Sequence, residues 1–147
     1  MCIRDRDRIL EANSASLDDN LKVYADAAKS KALAEDLTDL DAEIPQVEST
    51  TVQFSSAYLL GLIYVVEGSM MGGLLIRKNL ESCEHLKDKT MHHFFGKSAP
   101  EVMQRWKNFT GAVEEKTYSE QEHQEAVDGA HAAFMIFKDS YLSLIHI

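Results

Sequence analysis

The stretch that decides the fold is YVVEGSMMGGLLIRKNL at residues 64–80, in which three glycines interrupt a largely apolar run. A glycine inside a helix costs roughly 1 kcal/mol relative to alanine, because its backbone loses more conformational freedom on folding. Positions 61, 65, 68 and 72 follow one another at spacings of four, three and four, so they share one stripe of a helix. Three of these four positions are glycine, and we expect the stripe to expose backbone along about three turns.

Such a stripe has two interpretations that spacing alone leaves open. Small residues four apart let a second helix approach until the two backbones touch, although this motif is weak outside membranes. Alternatively, a flat, bulky ligand could lie on the stripe and gain dispersion attraction over its whole face. Consecutive glycines would then let the helix kink over the ligand, and Ser69 would be a polar group at the floor.

The segments before this stretch also predict helices. Apolar residues recur there at spacings of three and four, which predicts helix with a break near Lys29 and Ser30. These residues are Leu17, Leu21, Tyr24, Ala28, Leu33, Leu37 and Leu40. A loop containing Pro45 follows, and a serine or threonine at 49–51 is expected to cap the glycine-rich helix. A further short helix is predicted around residues 90–95, ending at Gly96.

Two capping boxes predict the last helices. Ser98 with Glu101, and Ser119 with Glu122, have the spacing at which each serine and glutamate satisfy the other's backbone N–H. The second of these helices has apolar residues on one side, namely Ala126, Ala130, Ala133, Phe134 and Phe137. No segment resembles a strand. We therefore predict an all-α fold, an irregular multi-helix bundle with short connections.

Composition narrows the class of protein. A chain of 147 residues with 45% apolar residues, 2 prolines and 7 glycines fits one ordered, helix-rich domain. The net charge of −9 disfavours nucleic acid as a partner, because phosphate binding needs clustered Lys and Arg. Few cysteines favour a reducing cytoplasm. No uninterrupted apolar run of about 18 residues occurs, so we expect no membrane span. We also expect the protein to be a monomer.

The two ends of the chain are predicted to be non-native. The segments MCIRDR (residues 1–6) and LSLIHI (residues 142–147) can be encoded by one short DNA element read in opposite orientations. That element resembles the end of a transposon used to fragment DNA for sequencing. Translated adapters of this kind are excluded from fold reasoning, so residues 7–141 are predicted to be a truncated native domain.

The glycine-rich stretch, with its EGSMMGG core, resembles the distal helix of the bacterial haem oxygenases that form biliverdin. KSKALAEDLTDL (residues 29–40) resembles the segment before that helix. FFGKSAPEVMQRWKNFTGAV (94–113) and AVDGAHAAFMIFKDSY (126–141) resemble the last two helices of that family. The resemblance implies a haem-oxygenase-like bundle in which haem lies between a proximal helix, which supplies a histidine to iron, and a kinked glycine-rich distal helix.

The resemblance also implies a reaction. Haem would be both substrate and cofactor, and O2 with an external electron donor would open its ring to biliverdin, with release of CO and iron. The donor would be a ferredoxin or a flavoprotein reductase. Gly68 and Gly72 match positions where the backbone approaches the reacting oxygen, and Ser69 matches a residue that supports ordered waters. These three are the predicted catalytic residues.

Four further residues are the expected haem contacts. Tyr64 precedes the glycine stripe by one turn, and Gly73 belongs to the same glycine pair as Gly72. Lys107 matches a basic position that pairs with a haem propionate, for which a solvated lysine is the alternative. Phe134 matches an aromatic residue on the haem edge, for which core packing is the alternative.

The histidines do not fit the resemblance as well. The family needs an axial histidine on its first helix, and none of His85, His92, His93, His123 and His131 matches that position. All five are interpreted as structural, and no metal ligand is predicted among them. The axial histidine is expected upstream of residue 7, so the chain as given is expected to be incapable of normal turnover.

Other classes of protein remain open at this stage. One is a non-catalytic haem-binding or storage protein on the same fold. Another is a di-metal oxidase or a thiamin-related hydrolase, although Glu120 and His123 form a single Glu-x-x-His pair where a di-metal site needs several inward carboxylates. A helical interaction protein is the alternative if the glycine stripe serves only packing.

Overall fold

The computed structural model describes residues 3–46, 52–86 and 93–145. Five α-helices occur in these ranges: α1 (Ile3–Ala12), α2 (Ala28–Asp39), α3 (Ser56–Glu81), α4 (Ala99–Glu114) and α5 (Glu120–Ile145). Short 3-10 turns lie at Ser14–Ser16, Lys22–Tyr24 and Glu84–Leu86. No strand is present in the described ranges, so the all-α prediction is confirmed.

The core is built around α3, which packs along α5 and against α4. Burying a large aliphatic or aromatic side chain contributes about 1.5–3 kcal/mol, so this helix carries much of the folding energy. Its most buried apolar residues are Leu59, Leu62, Ile63, Val65 and Val66. All of these except Val66 belong to one continuous hydrophobic cluster. That cluster also contains Leu10 from α1, Leu21 from the turn before α2 and Phe109 from α4.

The helices α3 and α5 touch backbone to backbone where they cross. A Cβ built on Gly61 would overlap the carbonyl oxygen of Ala126 and lie 2.7 Å from the backbone nitrogen of Ala130. From the other side, a Cβ on Gly129 would overlap the carbonyl oxygen of Tyr58. Close helix packing is therefore the correct interpretation of the stripe at Gly61.

The predicted helix ahead of Lys29 is wrong. Residues 17–27 form turns and one 3-10 segment, and α2 begins at Ala28, so Lys29 and Ser30 lie inside it. A 3-10 turn also places residues three apart on one side, and this explains why the apolar spacing suggested a helix. Asp7 accepts hydrogen bonds from the backbone nitrogen and Oγ of Ser30, both at 2.8 Å, and so caps the first turn of α2.

The start of α3 also differs from the prediction. Ser55 is the N-cap, and its Oγ accepts a hydrogen bond from the backbone nitrogen of Tyr58 at 3.2 Å. The predicted caps at 49–51 lie outside the described residues. The helix then continues without interruption through Gly68, Gly72 and Gly73 to Glu81.

Both predicted capping boxes are confirmed. The carboxylate of Glu101 accepts from the nitrogen and Oγ of Ser98 at 2.8 and 2.6 Å. Glu122 accepts from the nitrogen and Oγ of Ser119 at 2.8 and 2.9 Å. These contacts involve residues three apart, so the sequence alone specifies where α4 and α5 begin.

The short helix predicted at 90–95 is not found where the chain is described. Residues 90–92 lie outside the described ranges, and residues 93–95 form a bend and a turn. Asp36 holds this turn from α2, because its carboxylate accepts from the backbone nitrogens of His93 at 2.7 Å and Phe94 at 3.0 Å. The backbone N–H groups of His93 and Phe94 are thus satisfied by a carboxylate on α2 and not by a local helix.

Helix α3 also meets the length and composition test for a membrane span, contrary to the expectation from uninterrupted apolar runs. Half of its apolar window is buried within the protein, and the core helix of a soluble protein passes the same test. The length and composition of α3 therefore fit a core helix as well as a membrane span.

The helices cross both predicted adapter boundaries. Helix α1 begins at Ile3 and α5 ends at Ile145. Arg6 is only 1% exposed and forms an ion pair with Asp7 at 2.6 Å. The assignment of residues 1–6 and 142–147 to an adapter stays a prediction.

Candidate functional site

The second half of α3 forms the floor of an open groove of about 540 Å³. Helix α4 contributes one wall and α5 the other. The groove is lined mainly by apolar side chains, and its residues are Tyr64, Val65, Gly68, Ser69, Met71, Gly72, Ile76, Trp106, Phe134 and Phe137.

The two glycines at this floor are not required by packing. A Cβ on Gly72 would meet no atom within 4 Å, and a Cβ on Gly68 would only reach ordinary contact with the Trp106 ring at 3.5 Å. Alanine would fit at both positions and would favour the helix by about 0.5–1 kcal/mol. Packing alone therefore does not account for glycine at either position.

Aromatic side chains form the walls of the groove. The rings of Tyr64 and Trp106 lie 5.4 Å apart between centroids and are inclined by 57°. Tyr64 is 51% exposed and Phe134 is 59% exposed, which is unusual for side chains of this size. Contiguous exposed apolar surface of this kind marks a ligand or partner site.

Ser69 is a polar side chain at the floor. Its Oγ donates a hydrogen bond to the carbonyl oxygen of Val66 at 2.8 Å, one turn earlier in the helix. Because the hydroxyl proton is used in that bond, the oxygen is left as an acceptor for a water or a ligand.

The groove contains five of the seven predicted site residues. Tyr64, Gly68, Ser69, Gly72 and Phe134 line it. The remaining two do not.

Gly73 is buried against Phe95, whose ring would lie 2.8 Å from a Cβ at this position. Lys107 is exposed on α4 and does not line the groove. Each is one residue away from a lining residue, Gly72 or Trp106, and successive side chains on a helix are about 100° apart. The structure thus separates these two residues from the groove.

Sequence reasoning did not include Trp106 or Phe137 among the site residues, although both line the groove. Trp106 is the single tryptophan of the chain, and Phe137 lies one turn beyond Phe134 on α5. The sequence already placed Phe137 on the same side of its helix as Phe134, and this spacing of three was the signal that both would line the groove. Nothing local indicated that Trp106 would face Gly68.

A buried ionic cluster lies next to the groove and was also missed. Glu67 is 2% exposed, and its carboxylate accepts from Lys29 Nζ at 2.6 Å and from Arg105 Nε and Nη2 at 2.7 and 3.1 Å. The guanidinium of Arg105 also lies over the Tyr24 ring, 4.9 Å from its centroid. A glutamate inside an apolar run was the available signal, because such a residue needs buried cationic partners.

These contacts shift the acidity of the cluster. Burial alone would raise the pKa of Glu67, but the hydrogen bonds from Arg105 and the charge of Lys29 outweigh it and lower that pKa. Burial lowers the pKa of Lys29, against the opposing effect of Glu67. The Glu67 carboxylate is therefore held in its charged form.

None of the described histidines lines the groove. His93 instead lies beside α2, with Nε2 3.2 Å from Asp39 and Nδ1 3.6 Å from Glu35. His123 contacts the ring of Tyr118, and His92 lies outside the described residues. Within the described ranges no group of three His, Cys, Asp or Glu side chains could hold a metal ion.

Comparison with known proteins identifies the family. A sequence model of the family described as "Heme oxygenase" matches residues 11–142. The chain belongs to the haem oxygenase family. Its relative in Xanthomonas campestris pv. campestris strain 8004, named "Heme oxygenase", is 33% identical over 110 residues, which cover 72% of this chain.

The same alignment covers 62% of that haem oxygenase, so this chain spans less than two thirds of its relative. The family match includes all of α2 to α4 and most of α5, so it contains the floor and both walls of the groove. No solved structure matches the chain.

Proposed function

We propose that the parent protein is a haem oxygenase and that the groove on α3 holds the haem substrate. The reaction would be oxidative ring opening of haem to biliverdin, with release of CO and iron. The observation that carries the proposal is the open glycine floor at Gly68 and Gly72, where packing would allow alanine and the chain still leaves backbone exposed.

The residues of the groove fit a flat macrocycle. Ligand pockets in proteins usually measure about 300–1,000 Å³ and are mostly apolar with few polar groups. This groove has a volume of about 540 Å³, aromatic walls, and Ser69 at its floor. A floor without side chains lets a planar ligand contact the helix over its whole face, which maximises dispersion attraction.

Six of the lining residues have a role in this proposal. Trp106 and Phe134 would contact the macrocycle and exclude water from its apolar part, and Tyr64 would close one end. Gly68 and Gly72 would keep the backbone within reach of the reacting centre. Ser69 would accept a hydrogen bond from an ordered water there. Bound haem would supply the iron chemistry that activates O2, with electrons from a ferredoxin or a flavoprotein reductase.

The iron ligand is proposed to lie outside the described residues, since no described histidine lines the groove. We therefore expect this chain to bind hemin weakly and to lack normal turnover by itself. The parent protein is proposed to be a cytoplasmic monomer that binds neither nucleic acid nor membrane.

Titrating hemin into the 147-residue chain tests the proposal. The expected result is a shifted Soret band that saturates at one hemin per chain. Ascorbate is then added with and without imidazole, which can replace a histidine ligand on iron. Loss of the Soret band with appearance of biliverdin in the imidazole sample would support ring opening.

Two other outcomes discriminate between functions. Stoichiometric binding without biliverdin under either condition would favour a haem-binding protein on the same fold. Absence of saturable hemin binding would contradict the proposed role of the groove.

A further inference from the structure

We propose that Glu67 and Arg105 are positioning residues that hold Trp106 against Gly68 and so set the width of the groove. The use of that width for haem rests on the proposed function. The Glu67–Arg105 contact, called the clamp below, is a property of the ligand-free protein and is tested without haem.

Two adjacent pairs of residues connect α3 and α4 at one level. Glu67 precedes Gly68 on α3, and Arg105 precedes Trp106 on α4. Arg105 donates two hydrogen bonds to Glu67, from Nε to Oε2 at 2.7 Å and from Nη2 to Oε1 at 3.1 Å. The second members meet where the Trp106 ring lies 3.5 Å from a Cβ position on Gly68.

The geometry of the ionic contact suits a positioning role. Both carboxylate oxygens of Glu67 are used, and a planar guanidinium that binds two oxygens fixes distance and orientation together. Because each ionic residue is the immediate chain neighbour of a groove residue, a slide of α4 along α3 would break the two hydrogen bonds and would also move Trp106 relative to Gly68.

The surroundings hold Arg105 and Glu67 in turn. Lys29 Nζ from α2 contacts Glu67 Oε1 at 2.6 Å, and Asp26 Oδ2 lies 4.0 Å from Arg105 Nη2. The Tyr24 ring lies under the guanidinium. The clamp therefore fixes α4 relative to α2 and the preceding turn as well as to α3.

A purely stabilising role explains this cluster less well. Desolvation of buried charges offsets much of their attraction, and well-packed apolar residues are often as stable or more stable at such sites. What the ionic arrangement adds is one defined register between the helices, a role that buried polar groups serve in other proteins. Here the register between α3 and α4 determines the position of the Trp106 ring relative to Gly68.

Trp106 makes this proposal directly measurable, because it is the single tryptophan of the chain. Its emission maximum and its quenching by acrylamide report on the groove wall in the ligand-free protein. Glu67→Gln removes the charge at constant size, and Arg105→Lys keeps the charge but removes the fork. Lys116→Met is the control. It breaks an exposed ion pair in which Lys116 Nζ lies 3.0 Å from Asp18 Oδ2, and neither residue lines the groove.

For folded Glu67→Gln and Arg105→Lys, judged by circular dichroism, we expect Trp106 quenching to rise about twofold or more, as its cover loosens. Lys116→Met should leave it unchanged. A folded Glu67→Gln protein with the emission and quenching of the original chain would overturn the proposal.

If Glu67→Gln does not fold, the triple variant Lys29→Met, Glu67→Met, Arg105→Met replaces the ions by apolar side chains of similar length and takes its place. Increased quenching of Trp106 in a folded triple variant would support the clamp. Original emission and quenching in that variant, or its failure to fold as well, would overturn it, because a dispensable register or a purely structural need would then account for the ions.

Hemin titration of the same variants separates this proposal from the proposed function. If the groove holds haem, Glu67→Gln should bind hemin about tenfold more weakly, equivalent to about 1.4 kcal/mol, while Lys116→Met should not. Altered Trp106 quenching without hemin binding by any variant would retain the clamp and contradict the haem site. Altered quenching with unchanged hemin affinity would contradict the role of the clamp in setting the groove.

Discussion

The two halves of α3 use glycine for opposite purposes. In the first half, Gly61 has no side chain because the backbone of α5 occupies that space. In the second half, Gly68 and Gly72 have no side chain although ordinary contact or open space surrounds them. One stripe at one helical spacing therefore serves packing at one end and an open groove at the other.

The difference shows what a glycine spacing can and cannot predict. The spacing predicts a bare strip of helix, because that depends only on the helix itself. Whether the strip is covered depends on α5, whose glycine at 129 lies 68 positions further along the chain than Gly61. Packing and ligand binding were alternative interpretations of the whole stripe, and the structure shows close packing at Gly61 but an open groove at Gly68 and Gly72.

Gly61→Ala should have the largest effect on stability. The new methyl group would overlap the carbonyl oxygen of Ala126, and backbone atoms cannot move aside as a flexible side chain can. We expect a loss of about 3 kcal/mol or more in the free energy of unfolding, measured by urea denaturation. Gly111→Ala is the control, because a Cβ there meets no atom within 4 Å. Equal unfolding midpoints for both variants would contradict the close crossing of α3 and α5.

Glu67→Gln, between the two halves, should have an effect of comparable size. Removing one partner of a buried ion pair costs about 3–5 kcal/mol, because Lys29 and Arg105 lose their counter-charge. The urea midpoint at neutral pH measures this loss.

The same variant tests the lowered pKa of Glu67. A carboxyl whose folded pKa is lowered stabilises the protein above its unfolded value, near 4.5, and loses that contribution as pH falls through the folded pKa. The stability of the original chain should therefore fall more steeply with acid below pH 4.5 than that of Glu67→Gln. Parallel profiles would contradict a charged, stabilised Glu67.

Gly68→Leu should affect the groove far more than the fold. The side chain would extend from the floor beside Trp106 and occupy the space proposed for haem. We expect hemin affinity to fall about tenfold or more. A Soret titration measures the affinity, with Gly111→Leu as the matched control on α4. Unchanged affinity would argue against the floor as the haem surface.

Gly72→Ala should have the smallest effect on stability and the opposite sign. Because a Cβ there meets nothing within 4 Å, the gain in helix propensity should stabilise the protein by about 0.5–1 kcal/mol. Gly111→Ala should stabilise by a similar amount. Thermal denaturation measures both, and a hemin titration should show weaker binding for Gly72→Ala alone. A destabilised Gly72→Ala protein would mean that this half of α3 is packed after all.

Local features of the fold were predictable because their causes are local. The starts of α4 and α5 depend on Ser98 with Glu101 and Ser119 with Glu122, which are three residues apart. By contrast, the start of α2 depends on Asp7, which lies 23 positions before Ser30. The sequence could not show that contact, and the helix boundary was placed wrongly.

The candidate site was predictable on α3 and less so elsewhere. The glycine motif located Gly68, Ser69 and Gly72, all on one helix. The wall at Trp106 and the Glu67–Arg105 contact join residues on different helices, and Glu67 and Arg105 are 38 positions apart. On α4 the prediction chose Lys107, whereas its neighbour Trp106 lines the groove, because motif resemblance does not fix which side of a helix faces the groove.

The glycine pair at 72 and 73 has a mechanical consequence. Gly72 leaves its side of α3 open, while Gly73 lets the Phe95 ring rest on another side of the same turn. At this level the partition between the groove and the loop at 93–97 is little more than the peptide cylinder itself, about 5 Å across. A displacement of α3 at the groove should therefore move the loop at 93–97 with it. Hydrogen bonds to Asp36 on α2 and from Arg77 on α3 connect this loop to two different helices.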